Sequence, residues 1–210
     1  MAAQAVVSAE SLSIQKKPSD AFVVPKNFVG FGMESAFFPH FNNEFSENLV
    51  SALASRMSEP PIIRVGGTSG DYFSFDPDQE EIRICLEGKC GTHDATYRLG
   101  PRYFDAYKRF PDAKVLVQAP LGNPVNETNT MDYVTQAWKN LDDGKRVAGI
   151  ALGNEVEFIY KKGADAYVKA ALEIQEYITT NLSLTGDHAK IFQAGDTAFS
   201  SVADDKLYNV

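Results

Sequence analysis

A carboxylic acid stands directly after an apolar run in the middle of the chain. Residues 147–152 are Val, Ala, Gly, Ile, Ala and Leu, and Gly153, Asn154 and Glu155 follow them. A carboxyl group that leaves a buried strand at the edge of a cleft is suited to donating a proton to a leaving oxygen. The neighbouring Asn154 offers an amide that can hydrogen-bond a sugar hydroxyl. The alternative interpretation of this segment is a turn that leads into a helix cap.

An arginine lies inside another apolar segment. Arg64 is flanked by Ile63 and Val65, and a charge in a buried strand requires a partner, so we expect a carboxylate nearby. An internal salt bridge without a functional role is the alternative. Residues 66–71, Gly-Gly-Thr-Ser-Gly-Asp, could cradle a phosphate, but they match neither the P-loop nor the dinucleotide-binding pattern. A tight turn that lets a ligand approach the backbone is the preferred interpretation.

Short apolar runs alternate with longer amphipathic stretches along the chain. The runs predict strands buried on both faces, and they span residues 28–33, 62–65, 114–119, 147–152 and 190–194. The predicted helices span residues 43–57, 101–110, 131–141 and 164–182. The first of these helices has polar residues on one face and apolar residues on the other, namely Phe45, Leu49, Ala52, Leu53 and Met57. Regular alternation of strand and helix predicts an α/β fold with a parallel sheet.

Polar residues follow every predicted strand, whereas plainer residues precede them. Glu34 follows the first strand, Thr68 lies after the second, and Gln118 lies at the end of the third. Asn154 with Glu155 follows the fourth strand, and Gln193 with Asp196 lies at the end of the fifth. Because the carboxyl ends of parallel strands meet at one edge of a sheet, this asymmetry predicts a site at that edge.

Residues 71–96 form an insertion in the second strand–helix unit. An alternating segment there predicts a small hairpin that carries the two cysteines of the chain, Cys85 and Cys90. Two free thiols and a disulfide that closes a small loop both remain open as interpretations. A metal pair is the least favoured, because no second Cys or His pair stands nearby at ligand spacing.

The composition limits the classes of partner. The 210 residues include 20 Lys and Arg against 28 Asp and Glu, and the net charge of -8 argues against a general attraction to nucleic acid. No apolar run approaches the roughly 20 residues that a transmembrane helix needs. Two sequons, at Asn126 and Asn181, favour a secreted glycoprotein whose leader is not visible in this chain. Neither a cofactor nor a metal site is predicted.

Three segments of the chain together carry a family resemblance. They are residues 28–34 (Phe-Val-Gly-Phe-Gly-Met-Glu), 63–71 (Ile-Arg-Val-Gly-Gly-Thr-Ser-Gly-Asp) and 151–155 (Ala-Leu-Gly-Asn-Glu). In this order they resemble glycoside hydrolase family 79, the β-glucuronidase and heparanase-like family, and most of all its fungal members. The resemblance covers residues 22–199. It implies a retaining glycosidase on a (β/α)8 barrel of the TIM type, with a β-sandwich attached.

The resemblance also implies roles for individual residues. Glu155 corresponds to the general acid/base, Asn154 to the neighbour that contacts the sugar, and Arg64 to the arginine that supports the nucleophile. Strand position places three further residues along the pocket for the sugar, namely Glu34, Thr68 and Gln118. Family members more often have Pro after the acid/base, where this chain has Val156.

The family nucleophile has no counterpart in the sequence. It is a second Glu at the end of the seventh barrel strand, whereas this sequence stops after the fifth, and a retaining mechanism needs both carboxylates. We therefore interpret residues 25–210 as a barrel truncated after the fifth strand, and residues 1–24 as a lead-in that contributes strands to the sandwich. The expected substrate is a glucuronide. We expect the isolated chain to be inactive or incomplete, with the barrel completed by a missing C-terminal segment or a second chain.

Two other functions remain open on the sequence alone. The chain could be a non-catalytic carbohydrate-binding or interaction protein that keeps half of the cleft. It could also be a complete five-stranded enzyme of another kind that holds a phosphate at residues 66–71.

Overall fold

A parallel sheet of five strands organises the protein. The computed structural model describes residues 21–93, 95–122, 124–160 and 164–198. The predicted lead-in of residues 1–24 lies outside them except for residues 21–24, which form no strand. Within the described residues the strands are β1 (Gly30–Glu34), β2 (Ile62–Gly66), β3 (Ser74–Phe75), β4 (Arg83–Glu87), β5 (Thr96–Leu99), β6 (Lys114–Ala119), β7 (Val147–Leu152) and β8 (Phe192–Gln193). The large sheet has the order β1-β2-β6-β7-β8, and every neighbouring pair in it is parallel.

Helices separate these strands along the chain. The α-helices of the described residues are α1 (Glu44–Ala54), α2 (Asp105–Lys108), α3 (Glu127–Asn140), α4 (Val156–Ile159) and α5 (Ala164–Asn181). Four 3₁₀ helices accompany them in the same part of the chain, at Ser35–Phe41, Thr68–Tyr72, Pro101–Phe104 and Gly186–Lys190. The predicted α/β fold is confirmed. The predicted helix at 101–110 is instead a 3₁₀ turn followed by α2, and none of the described helices is long and apolar enough to cross a membrane.

The strand order places the helices on one face of the sheet. Each strand of the large sheet lies beside the previous one without reversal, and parallel crossovers are right-handed, so successive helices cover the same face. Ile63 and Val65 face this layer and are fully buried, whereas the Arg64 side chain between them retains 29% of its exposure. The prediction of strands buried on both faces is therefore wrong for β2. It also fails for β1: Phe31 is opposite Ile63 in the register and lies on the same face of the sheet, but it is exposed because β1 is the edge strand among the described residues.

The insertion forms a separate small sheet. Strand β5 lies in its centre, antiparallel to β4 and parallel to β3, and the sheet continues to Leu99, beyond the predicted boundary. Cys85 and Cys90 form a disulfide at the tip of this insertion. The Tyr97 hydroxyl donates to the carbonyl of Thr92 and accepts from the amide of Gly91, which holds the disulfide loop against β5.

A buried aromatic cluster joins the insertion region to the main sheet. Phe38, Tyr103, Tyr107 and Tyr133 are fully buried, with ring centroids of Phe38 and Tyr107 4.7 Å apart. The Tyr103 hydroxyl donates to the carbonyl of Ser35 at 2.9 Å, directly after β1. Burial raises the pKa of Tyr103 well above its usual range, so this hydroxyl remains a donor. The cluster therefore fixes the chain just beyond Glu34.

Helix α1 is rotated about its axis relative to the orientation that its apolar pattern predicts. Phe45 is 76% exposed and Leu49 is 54% exposed, whereas Val50 is buried. Glu47 pairs with Arg109 at 3.0 Å, and polar contacts of this kind hold the inner side of the helix. The described part of the chain therefore leaves Phe45 and Leu49 in solvent.

This orientation predicts unequal effects for two adjacent substitutions. Leu49→Gln should change the free energy of unfolding by less than about 0.5 kcal/mol, because the side chain is already in solvent. Val50→Ala should reduce it by about 2 kcal/mol, since buried methyl groups are lost. Denaturant unfolding of the 210-residue chain measures both. A larger loss for Leu49→Gln than for Val50→Ala would show that the helix packs the other way.

Candidate functional site

The carboxyl ends of the five parallel strands meet at one edge of the sheet. Glu34 is opposite Gly66 in the register, and Gln118 is opposite Ala151, which is in turn opposite Gln193. The polar residues that follow these strands therefore lie side by side. This is the edge at which the sequence predicted a site.

Arg64 links two of the strand ends. Its Nη2 donates to Asn154 Oδ1 at 2.7 Å and to Asp196 Oδ2 at 2.6 Å. Asp196 is the carboxylate partner that the sequence led us to expect, although the residue itself was not selected as a site residue. Both side chains keep about a third of their exposure, so the pair is accessible from solvent rather than sealed in the core.

Hydrogen bonds to the neighbouring backbone hold Asp196 in place. Its carbonyl accepts from the amide of Val156 at 3.1 Å. The preceding residue, Gly195, donates its amide to the Tyr167 hydroxyl, which in turn donates to the carbonyl of Leu152. The loop after β8 is thereby tied to the loop after β7, which carries Asn154 and Glu155.

Glu155 adopts a left-handed backbone conformation. Its φ is 44° and its ψ is 51°, and Gly153 two residues earlier also has a positive φ of 81°. A non-glycine residue in this region costs about 1–3 kcal/mol, and such residues cluster at functional sites. The conformation brings Glu155 Oε2 to 3.2 Å from Thr68 Oγ1, which donates to it. Glu155 and Thr68, which were both predicted at the carboxyl ends of strands, are thus in contact.

The glycine-rich loop after β2 packs on side chains of the protein itself. The amide of Gly67 donates to Gln118 Oε1 at 2.7 Å, and both the amide and the hydroxyl of Ser69 donate to Glu34 Oε1. These two amides would have to be free to cradle a phosphate, so the structure does not support that alternative. Gln118 is buried beneath the loop, and Glu34 is half-buried beside it.

Asp71 is a site residue that the sequence did not single out. It is 4% exposed, and its carboxylate accepts from the amides of Leu121 at 3.1 Å and Asn154 at 3.0 Å. Burial raises the pKa of Asp71 to about 7, and the two amide donors oppose the rise. Only its place at the end of the glycine-rich loop could have drawn attention to it, because nothing local in the sequence shows that it is buried.

Other predicted sites lie apart from this edge. Asn126 and Asn181 of the two sequons are exposed; Asn126 caps α3 by accepting from the amide of Asn129, and Asn181 donates to Tyr177. In the described part of the chain, no group of three or more His, Cys, Asp or Glu residues could hold a metal ion. A cavity of about 520 Å³ lies at the opposite edge of the sheet, beside Pro60 and Arg146, and contains none of the predicted site residues.

Comparisons with known proteins point to one enzyme class. A β-glucuronidase of Aspergillus niger is 32% identical over 194 residues, which cover 85% of this chain and 35% of the relative. A β-glucuronidase of Neurospora crassa is 29% identical over 166 residues, covering 71% of this chain and 29% of the relative. The chain thus spans about a third of the length of these curated relatives. No protein-family model matches the chain.

A solved structure shows the same fold. It is a 4-O-α-L-rhamnosyl-β-D-glucuronidase from Fusarium oxysporum, crystallised as a Rha-GlcA complex. The two structures superpose with a TM-score of 0.69 at 21% sequence identity, over 84% of this chain and 39% of the other. The arrangement of strands and helices described above is therefore shared with that protein.

Gly67 should be the least replaceable glycine of the site loop. Its φ is +112°, and an added Cβ would collide with the Glu34 carboxylate. We expect Gly67→Ala to reduce the free energy of unfolding by more than about 2 kcal/mol. The matched control is Gly32→Ala, where an added Cβ meets no atom within 4 Å and the expected change is within about 1 kcal/mol. Equal losses in denaturant unfolding would contradict this packing.

Proposed function

Because the chain belongs to a glucuronidase-like family, we propose that its sheet edge binds a β-glucuronide and takes part in hydrolysing the glycosidic bond. The observation that carries the proposal is the joint position of Glu155 and Asn154. Glu155 receives a hydrogen bond from Thr68 while Asn154 is held by Arg64, and both follow the same strand. An acid and an amide are thereby presented together at one edge, as sugar chemistry requires.

The residue roles follow from chemistry and from the resemblance to glycoside hydrolase family 79. Glu155 is proposed as the general acid/base, which protonates the leaving oxygen and later activates water. Asn154 is proposed to hydrogen-bond a sugar hydroxyl, and Arg64 to support the attacking carboxylate. The sides of the sugar pocket are proposed to be formed by Glu34, Thr68 and Gln118.

The proposed enzyme is a (β/α)8 barrel, of which the described residues form five strands. Three features support this: the strands follow one another without reversal, the helices lie on one face, and one side of β1 has no neighbouring strand in the described part of the chain. Exposed Phe31 and Leu49, on β1 and α1, lie where a further strand–helix unit would pack. Such units, from the same polypeptide or a second chain, would also supply the second carboxylate of a retaining mechanism, about 5–5.5 Å from the first.

Secretion is part of the proposal. The disulfide between Cys85 and Cys90 is typical of proteins that fold in an oxidising compartment. The exposed side chains of Asn126 and Asn181 are accessible for glycosylation.

Binding of D-glucuronate to the 210-residue chain tests the sugar site. We expect saturable binding by calorimetry, weakened about tenfold by Asn154→Ala because a hydrogen bond to the sugar is lost. Asn181→Ala is the matched control, since Asn181 lies at the end of α5, and it should bind like the wild type. Absence of saturable binding, or equal loss in both variants, would contradict a sugar site at this edge.

Measurement of turnover tests whether the 210-residue chain contains both proposed catalytic carboxylates. We expect the 210-residue chain to release no product from an aryl β-D-glucuronide above background, because we assign only one of the two proposed catalytic carboxylates, Glu155, to this chain. Turnover that Glu155→Gln abolishes would show that both carboxylates lie within this chain. A longer form of the protein that contains the remaining strands should be active, and should lose activity in Glu155→Gln. If that form binds the sugar without turnover, a non-catalytic carbohydrate-binding protein becomes the better proposal.

A further inference from the structure

Asp71 lies where three loops of the site meet. It belongs to the 3₁₀ helix after β2, and its carboxylate accepts from Leu121, which follows β6, and from Asn154, which follows β7. One side chain, 4% exposed, thus connects the ends of three neighbouring strands. Each of its two oxygens accepts a hydrogen bond from one of these amides. Movement of either loop would break that hydrogen bond, which is charge-assisted when the carboxylate is ionised and neutral when it is protonated.

We propose that Asp71 is a positioning residue, which sets the orientation of the Asn154–Glu155 turn through the backbone amide of Asn154. The positioning itself is independent of the proposed function. That the positioned turn serves sugar binding and hydrolysis rests on the proposed function. Asp71 is distinct from the residues that the resemblance assigned to acid/base chemistry or to support of the nucleophile.

The geometry of the turn explains why one amide is sufficient. Asn154 is fixed at two points, by Asp71 at its amide and by Arg64 at its side-chain oxygen. Glu155 follows immediately in the left-handed conformation, which has a narrow range of allowed dihedral angles. A displacement of the Asn154 amide would therefore be passed to the Glu155 carboxyl and to its contact with Thr68.

The groups facing Asp71 make this role sensitive to pH. Arg64 on β2 lowers the pKa of Asp71, but its charge is shared with Asp196. Asp71 in turn contributes to the raised pKa of three neighbouring tyrosines, Tyr72, Tyr160 and Tyr167. Desolvation prevails, so the pKa of Asp71 is about 7 and both protonation states are populated near neutral pH.

The two protonation states of Asp71 favour different properties: the neutral form favours the stability of the fold, and the ionised form favours strong hydrogen bonds to the turn. Because the pKa is raised from 3.8, the stability that the neutral carboxyl contributes is complete below pH 3.8 and is lost as pH rises through about 7. The ionised form nevertheless accepts stronger hydrogen bonds from the two amides. The turn should thus be held more tightly above pH 7, although the fold is then less stable.

A pH titration of the 210-residue chain by NMR tests the proposal. The amide protons of Leu121 and Asn154 should shift together with one midpoint near pH 7. The side-chain amide of Asn154 and the guanidinium of Arg64 should follow the same midpoint. Asp71→Asn should abolish this shared titration. Asp76→Asn should preserve it, since Asp76 also accepts a backbone amide, that of Asp78, but is not part of the site.

Two results would overturn the proposal. Neither amide shifting between pH 5 and 9 would show that Asp71 does not control them. Backbone shifts without movement of the Arg64 and Asn154 side-chain signals would reduce Asp71 to a structural role. The wild-type titration decides the matter even if Asp71→Asn does not fold. Failure of the proposed function gives a different result, namely loss of glucuronate binding with the shared titration intact.

Discussion

Parallel pairing in one uninterrupted strand order is the constraint on which the rest of the structure depends. Because β1, β2, β6, β7 and β8 all run the same way, the loops that leave their carboxyl ends share one edge. Because the order never reverses, the helices collect on one face and leave the other to Arg64 and its neighbours. The candidate site is a consequence of this arrangement: it joins residues that are far apart in sequence, such as Arg64 and Asp196, which are 132 positions apart.

The polar groups at this edge are held mainly by one another. Gln118 and Glu34 accept amides from the glycine-rich loop, Asp71 accepts amides from two other loops, and Arg64 joins Asn154 to Asp196. Buried polar groups are costly when they lack partners, so a network of this kind specifies one arrangement of the loops. Glycine is required at Gly67 for the same reason, since a side chain there would displace the Glu34 carboxylate. The loop is thus shaped by internal packing before any ligand is considered.

Sequence patterns predicted the strands and helices better than they predicted which side chains are buried and which loops are in contact. The strands at 114–119 and 147–152 were predicted with the bounds that β6 and β7 have, because continuous Val, Ile and Leu runs are a local signal. The predicted inward face of α1 was wrong, because helix periodicity does not show which apolar positions will be covered: Phe45 and Leu49 are exposed, whereas Val50 is buried. In the site, Glu155 and Asn154 could be found because they directly follow a strand. Asp71 and Asp196 acquire their contacts only when distant loops meet, and no local pattern reports that.

The left-handed backbone at Glu155 has a consequence for how this position can vary. A chain selected for stability alone would place Gly or Asn there, since both tolerate a positive φ with little strain. β-branched residues would be the most strongly disfavoured. Retaining a glutamate means that the protein gives up folding free energy to keep a carboxylate at this point. In the acid/base role proposed for Glu155, stability and activity oppose each other at this position, and stabilising substitutions found there by screening should be the ones that remove the proposed activity.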